Sequence, residues 1–186
     1  MEAIKKIELN KVVKIILITI LGTLLLTISA KIKIPFYPVP MTMQTFVVLF
    51  LGITLGPKIG LLTVSLYLLE GIFGLPIFAG SPEKGVGLIY FTGPTMGYLI
   101  GFLFAVYFAG TFKYEKNLIN TFSKLLLSVS FIYLFGLIWL GTLIGWDKPI
   151  FKLGAQPFLL AELFKILLLL FLTPLILKTK KIIKIT

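Results

Sequence analysis

The residues of this sequence with the clearest chemical potential are a glutamate and a lysine inside an apolar run near the C-terminus. Glu162 and Lys165 lie in the stretch AQPFLLAELFKILLLLF, three residues apart, so a helix places them on one face. Ionisable side chains inside a membrane span are costly and usually face the bundle interior or a wet cavity. We therefore expect the pair to contact a ligand. The alternative is a structural ion pair, or a pair that reaches the outer interface along its flexible stems.

A second group of polar residues follows the first apolar run, in the segment KIKIPFYPVPMTMQT. Its three prolines predict a stiff, extended crossing suited to a lid. Thr42, Gln44 and Thr45 offer hydroxyl and amide groups that both donate and accept hydrogen bonds. The alternative for Thr42 is the cap of the next helix. Glu70 is a further candidate, but near a helix end its carboxylate can simply reach interfacial water.

The remaining composition argues against most catalytic classes. The sequence contains no cysteine and no histidine, which removes thiolate nucleophiles and the commonest metal ligand and general base. The segment GITLGPK lacks the spacing and the hydroxyl residue of an ATP-binding phosphate loop. The net charge of +11 comes from lysines placed mostly between apolar runs, which does not suggest nucleic acid. We expect no enzyme, metal or cofactor.

The elements that hold these residues are predicted to be membrane helices. Hydrophobic residues make up 58% of the 186 positions and charged residues only 13%, with a mean hydropathy of +1.06. The prediction is an all-α membrane protein, one domain over residues 1–186, with six helices in one bundle and a structured outer loop between helices three and four. The expected spans are about 12–30, 43–55, 58–73, 94–111, 122–144 and 157–177.

The lysines predict the orientation of this bundle. If both termini are cytoplasmic, twelve of the eighteen lysines lie on that side, five lie outside, and Lys165 lies within a span. The positive-inside rule favours this arrangement. The expected location is the cell membrane, with multiple passes through the bilayer.

Five motifs, in order, resemble the BioY family. They are PVPMTMQT at 38–45, LGP-K-G at 55–60, Y-LLEGIFGLPIFAG at 67–80, GPTMGYLIGF at 93–102, and the late E-x-x-K. BioY proteins are the biotin-specific substrate-binding (S) subunits of energy-coupling factor (ECF) transporters, and the resemblance covers about residues 12–177. It implies biotin capture near the outer face, a transmembrane coupling subunit, and two ATP-binding subunits that power uptake.

Two departures from the family pattern affect its site. The family usually has Asp-x-x-Lys in the last helix, whereas the acid here is Glu162; Lys165 matches directly. Gly80 is followed by Ser81-Pro82-Glu83-Lys84, where the family often has Gly or Asn, so a side-chain amide contact is not carried over.

Biotin needs an acceptor for its ureido N–H groups, a donor, apolar walls and a cation for its carboxylate. The hypothesis is that Glu162 accepts from the ureido edge while Gln44, Thr42 or Lys165 binds the carbonyl or carboxylate. The aromatic walls are expected from residues such as Phe36 and Tyr90. The predicted substrate-binding set is Glu162, Lys165, Gln44, Thr42, Gly80, Tyr90 and Phe36.

Three rival functions stay open at this point. The same scaffold can bind another small vitamin, the chain can be an ion-coupled solute transporter with Glu162 as the proton site, or it can be a structural subunit that binds no solute.

Overall fold

The computed structural model describes residues 2–35, 37–115 and 117–183, and these residues are almost entirely helical. The α-helices are α1 (Glu2–Lys31), α2 (Gln44–Ile72), α3 (Met96–Thr111), α4 (Leu118–Ile144), α5 (Ile150–Gly154) and α6 (Leu159–Ile183). Four segments are long and apolar enough to cross a membrane: Lys11–Lys31, Gln44–Ile72, Leu118–Ile144 and Ile150–Lys178. Helix α3 is apolar but shorter. The helical, membrane-spanning class predicted from the composition is confirmed.

Helix α2 is a hairpin rather than one straight rod. Its backbone breaks at Gly56, where φ is +77° and ψ is 176°, and Pro57 starts the second arm. The Gln44 side-chain nitrogen lies 2.8 Å from the Tyr67 hydroxyl, although 23 residues of straight helix would span about 35 Å. The arms are therefore antiparallel. Glycine permits the positive φ, and proline fits an early helical position, as the sequence predicts.

Other boundaries differ from the prediction. Helix α4 begins at Leu118 rather than near 122, because the Asn117 side chain caps it by accepting from the Asn120 amide at 3.1 Å. Helix α1 begins at Glu2, ten residues before the expected span, and α6 continues to Ile183. Charged residues at these ends can continue a helix beyond its apolar part.

The hairpin of α2 occupies the centre of the bundle. It packs against α1, α3 and α6, and α3 packs against α4. Fully buried side chains include Leu26, Val48, Val64, Tyr67, Leu125, Ile132, Ile166 and Leu169. Large apolar side chains such as Leu21, Phe164 and Phe171 are exposed on the outside, which suits a lipid environment.

Two connections meet at one end of the bundle. Strands β1 (Lys33–Ile34) and β2 (Met41–Thr42) pair antiparallel, a small sheet where the sequence predicts an extended crossing. The loop between α2 and α3 contains a 3₁₀ helix, Gly87–Thr92, and a buried stretch at 77–81. Both connections lie beside the start of α6, where they enclose the predicted site.

Candidate ligand-binding site

A buried ion pair forms the centre of the candidate site. The Lys165 ammonium lies 2.7 Å from Oε1 of Glu162, and the two side chains are only 6% and 7% exposed. Their separation of three residues on α6 brings them together, as the sequence predicts. The structure therefore places this pair inside the bundle rather than against lipid.

Residues at the start of α2 complete the pair. Lys165 also donates to the Thr42 carbonyl at 2.6 Å and to the Thr45 hydroxyl at 2.9 Å. The Thr45 hydroxyl in turn donates to Oε1 of Glu162 at 2.9 Å. All three ammonium protons thus have acceptors, which offsets the cost of burying the charge. We call these four residues, Thr42, Thr45, Glu162 and Lys165, the charged corner.

A small cavity of about 50 Å³ lies beside the charged corner. Among the described residues Glu162 is the one charged member of its lining, and Thr42, Thr45, Thr95, Tyr98 and Tyr133 add hydroxyl groups. The remaining lining is apolar: Val39, Pro40, Met41, Ala79, Leu99, Phe102, Ile132 and Phe158. One carboxylate among hydroxyls and apolar walls suits a compact ligand that donates hydrogen bonds.

Tyr133 is a member of this site that the sequence analysis missed. It lies on α4 and lines the cavity together with Glu162. Its ring packs edge-on against Tyr98 at 6.0 Å. The available signal was a tyrosine in the middle of a predicted span, since a buried tyrosine hydroxyl needs a partner.

A larger open cleft of about 560 Å³ lies on the other side of β2. Met41 and Thr42 line both spaces, while Lys165 lines the cleft and Glu162 lines the cavity. Strand β2 therefore lies between the small cavity and the larger cleft.

Gln44 is buried but does not line the cavity. Its amide nitrogen donates to the Tyr67 hydroxyl at 2.8 Å, and that hydroxyl donates to the Ile77 carbonyl at 3.1 Å. Gln44 thus supports the loop after α2. The alternative role of Thr42 was a contact at the helix start, and the structure contains one. The Thr42 hydroxyl accepts from the backbone N–H of Gln44 at 3.3 Å, although the N-cap residue itself is Met43.

Gly80 and Tyr90 lie in that same loop, next to the cavity wall rather than in it. The Tyr90 hydroxyl donates to the Ala79 carbonyl at 2.8 Å, and burial raises the pKa of this phenol. Gly80 has φ of +80°, which a side chain would strain, and it is packed against the Lys84 stem. Phe36 lies outside the described residues.

Glu70 stands apart from the charged corner. Its Oε1 accepts from the Thr23 hydroxyl at 3.1 Å, and the side chain is only partly buried. The structure therefore gives it a contact between α1 and α2, not a place in the cavity.

Fold and cavity together define a helical membrane protein with a buried ion pair beside a small, mostly apolar cavity near one end of its bundle. The protein-family model of the BioY family matches residues 3–182 of this chain. The "Probable biotin transporter BioY" of Pyrococcus horikoshii is 36% identical over 141 residues, covering 76% of this chain and 82% of the relative. The "Biotin transporter BioY" of Thermotoga maritima is 35% identical over 148 residues, covering 77% and 84%.

A crystal structure of the S-component for biotin from an ECF-type ABC transporter has the same fold. It superposes with a TM-score of 0.76 at 27% identity and covers 91% of this chain and 93% of that chain. This chain belongs to the BioY family. It is accordingly a multi-pass membrane protein of a transporter family and not an enzyme.

Proposed function

We propose that this protein captures biotin and mediates its uptake as the substrate-specificity subunit of an ECF-type transporter. The names of the relatives and the fold of the biotin S-component support this. The observation that carries the proposal is the Glu162 carboxylate, which is buried, bonded to Lys165 and Thr45, and part of the lining of the small cavity.

In the proposed site, Glu162 accepts hydrogen bonds from the ureido N–H groups, and Tyr133 adds a second polar contact from α4. The apolar ring contacts Leu99, Phe102 and Phe158. Lys165 has all three protons engaged within the charged corner, so its main role is to orient Glu162 and to balance its charge. Thr42 contributes from β2, while Gln44, Gly80 and Tyr90 shape the loop that closes the site.

Binding requires an opening in this proposal. The cavity of about 50 Å³ is far smaller than typical ligand pockets of about 300–1,000 Å³. Movement of β2 joins it to the cleft of about 560 Å³ and provides the needed space. The proline-rich connection between β1 and β2 then acts as the lid that the sequence suggests.

The proposed assembly follows from the family. If the arms of the α2 hairpin count as two spans, the proposed protein has six transmembrane segments in one domain. An even number of spans puts both termini on one side, and the lysine distribution favours the cytoplasmic side. A transmembrane coupling subunit and two ATP-binding subunits supply the energy for uptake.

The test is calorimetric titration of the detergent-purified protein with biotin, using Glu162→Gln and Lys165→Ala as comparison variants. Lipoate is the matched competitor, because it has a sulfur-containing ring and an aliphatic carboxylate tail but no ureido group. One-to-one binding of biotin alone, weakened in both variants, is expected. Verified ligand-free protein that is folded but gives no heat with biotin would overturn the proposal.

A second assay separates the ion-coupled alternative. Protein in liposomes without partner subunits is expected not to accumulate biotin when a pH gradient is imposed. Accumulation that follows the gradient would identify Glu162 as a proton-coupling site instead.

A further inference from the structure

The loop segment 76–81 owes its shape to the Lys31 side chain at the end of α1. The Lys31 ammonium donates to the carbonyls of Pro76 at 2.7 Å, Phe78 at 3.1 Å and Ser81 at 3.0 Å. These acceptors lie 45 to 50 residues away in sequence. One side chain therefore fixes three backbone groups of a connection that has no sheet partner of its own.

The carbonyls between those three are held by tyrosines. Tyr67 donates to the Ile77 carbonyl at 3.1 Å, and Tyr90 donates to the Ala79 carbonyl at 2.8 Å. Four successive carbonyls, 76 to 79, thus alternate between Lys31 and a buried tyrosine. Buried backbone acceptors need such partners. Side chains supply them here, together with a local turn in which the Phe78 carbonyl also accepts from the Ser81 amide at 3.2 Å and the Ser81 hydroxyl at 2.8 Å.

Lys31 differs from the two tyrosines in its accessibility. Tyr67 and Tyr90 are 0% and 4% exposed, whereas Lys31 is an exposed residue at the helix end. In the described part of the chain its ammonium has no carboxylate within ion-pair distance. The converging carbonyl dipoles repel one another without the positive charge, so the arrangement depends on Lys31 remaining in place.

The held segment forms part of the wall of the binding cavity. Ala79 lines that cavity directly. In the sequence it lies between Phe78 and Ser81, and Lys31 donates to the carbonyls of both. We propose that Lys31 is a positioning residue for the binding site: by fixing segment 76–81 it keeps the wall closed and slows ligand release. The identity of the ligand in this inference rests on the proposed function, whereas the Lys31 contacts do not depend on it.

The experiment compares Lys31→Met, which keeps the apolar stem and removes the ammonium, with wild type. We expect biotin to dissociate about tenfold faster, with an association rate changed by less than about twofold, since hydrogen bonds to a charged donor are the stronger kind. We also expect amide hydrogen exchange at 77–85 to accelerate about tenfold in ligand-free protein. Lys31→Arg retains a charge and several donors and should restore most of the slow release.

Lys152→Met is the matched control, because it removes an exposed lysine from α5 at the same end of the bundle. Its release rate and loop exchange should equal those of wild type. The inference would be overturned if biotin dissociated from Lys31→Met at the wild-type rate. If loop amide exchange were faster while the dissociation rate stayed unchanged, Lys31 would be purely structural. Wild-type protein that binds no biotin would reject the proposed function, whereas unchanged exchange in ligand-free Lys31→Met would reject the role of Lys31 alone.

Discussion

Two lysines at the same end of this bundle each hold several acceptors, but they do so in different environments. Lys165 is buried and pairs with the Glu162 carboxylate, so the charged corner is electrically neutral. Lys31 is exposed and holds only neutral oxygens of the loop after α2. The first contact lies inside the packed bundle, and the second closes the bundle from outside.

This difference separates a contact that is costly to break from one that opens more easily. A buried ion pair that loses one member leaves an uncompensated charge in a low-dielectric interior, so breaking it is costly. An exposed ammonium that leaves its carbonyls is rehydrated by water, so its release costs much less. We expect substitutions at the charged corner to have larger effects than substitutions at the loop.

The largest expected effect is on stability. Lys165→Met should lower the free energy of unfolding by about 3–5 kcal/mol, because Glu162 is left buried without its cation. Denaturant titration of the detergent-purified protein measures this. The matched control is the double variant Glu162→Gln with Lys165→Met, which removes both charges and should recover much of the loss. Equal instability of the single and double variants would show that the ion pair is not the source of the effect.

The next effect is on affinity. Glu162→Gln keeps the shape of the side chain but removes the charged acceptor, and we expect biotin binding to weaken by roughly tenfold to hundredfold. Calorimetry measures the change. Glu162→Asp keeps the charge on a shorter stem and should retain more affinity than Gln. A Gln variant that binds as tightly as wild type would exclude direct recognition by the carboxylate.

A smaller change is expected at Tyr133. Tyr133→Phe removes one hydroxyl from the cavity, so binding should weaken by about fivefold, with about 1 kcal/mol lost in stability at most. The comparison variant is Tyr107→Phe on α3, an exposed tyrosine whose affinity should be unchanged. Equal affinities in both variants would remove Tyr133 from the site.

The smallest effect is expected at Glu70. Glu70→Gln keeps an acceptor for the Thr23 hydroxyl and lies outside the cavity, so biotin affinity should stay within about twofold of wild type. Equilibrium titration checks this. A tenfold loss would place Glu70 in the ligand path.

The sequence predicts features that depend on local spacing. Glu162 and Lys165 share a helix face because they are three residues apart, and Gly56-Pro57 reverses α2 because of its backbone preferences. The membrane class follows from hydropathy alone. These predictions do not require knowledge of the tertiary contacts between helices.

The sequence does not predict contacts between distant segments. Thr45 meets Glu162 across 117 residues, and Lys31 meets Pro76 across 45. Lys31 looks like an ordinary charge at a helix end, and its role depends on where the loop folds. Gln44 carries the right groups for a ligand, but the packing of the hairpin turns its amide towards Tyr67.

The reversal at Gly56 has a consequence for how the chain enters the bilayer during synthesis. The first arm, residues 44–55, is about 18 Å long and the second, 57–72, about 24 Å, so each falls short of a hydrocarbon layer of about 30 Å. Neither arm is a good insertion signal alone, and both leave polar groups such as Gln44 unpaired until they meet. The hairpin should therefore integrate as a single unit, after both arms have left the ribosome.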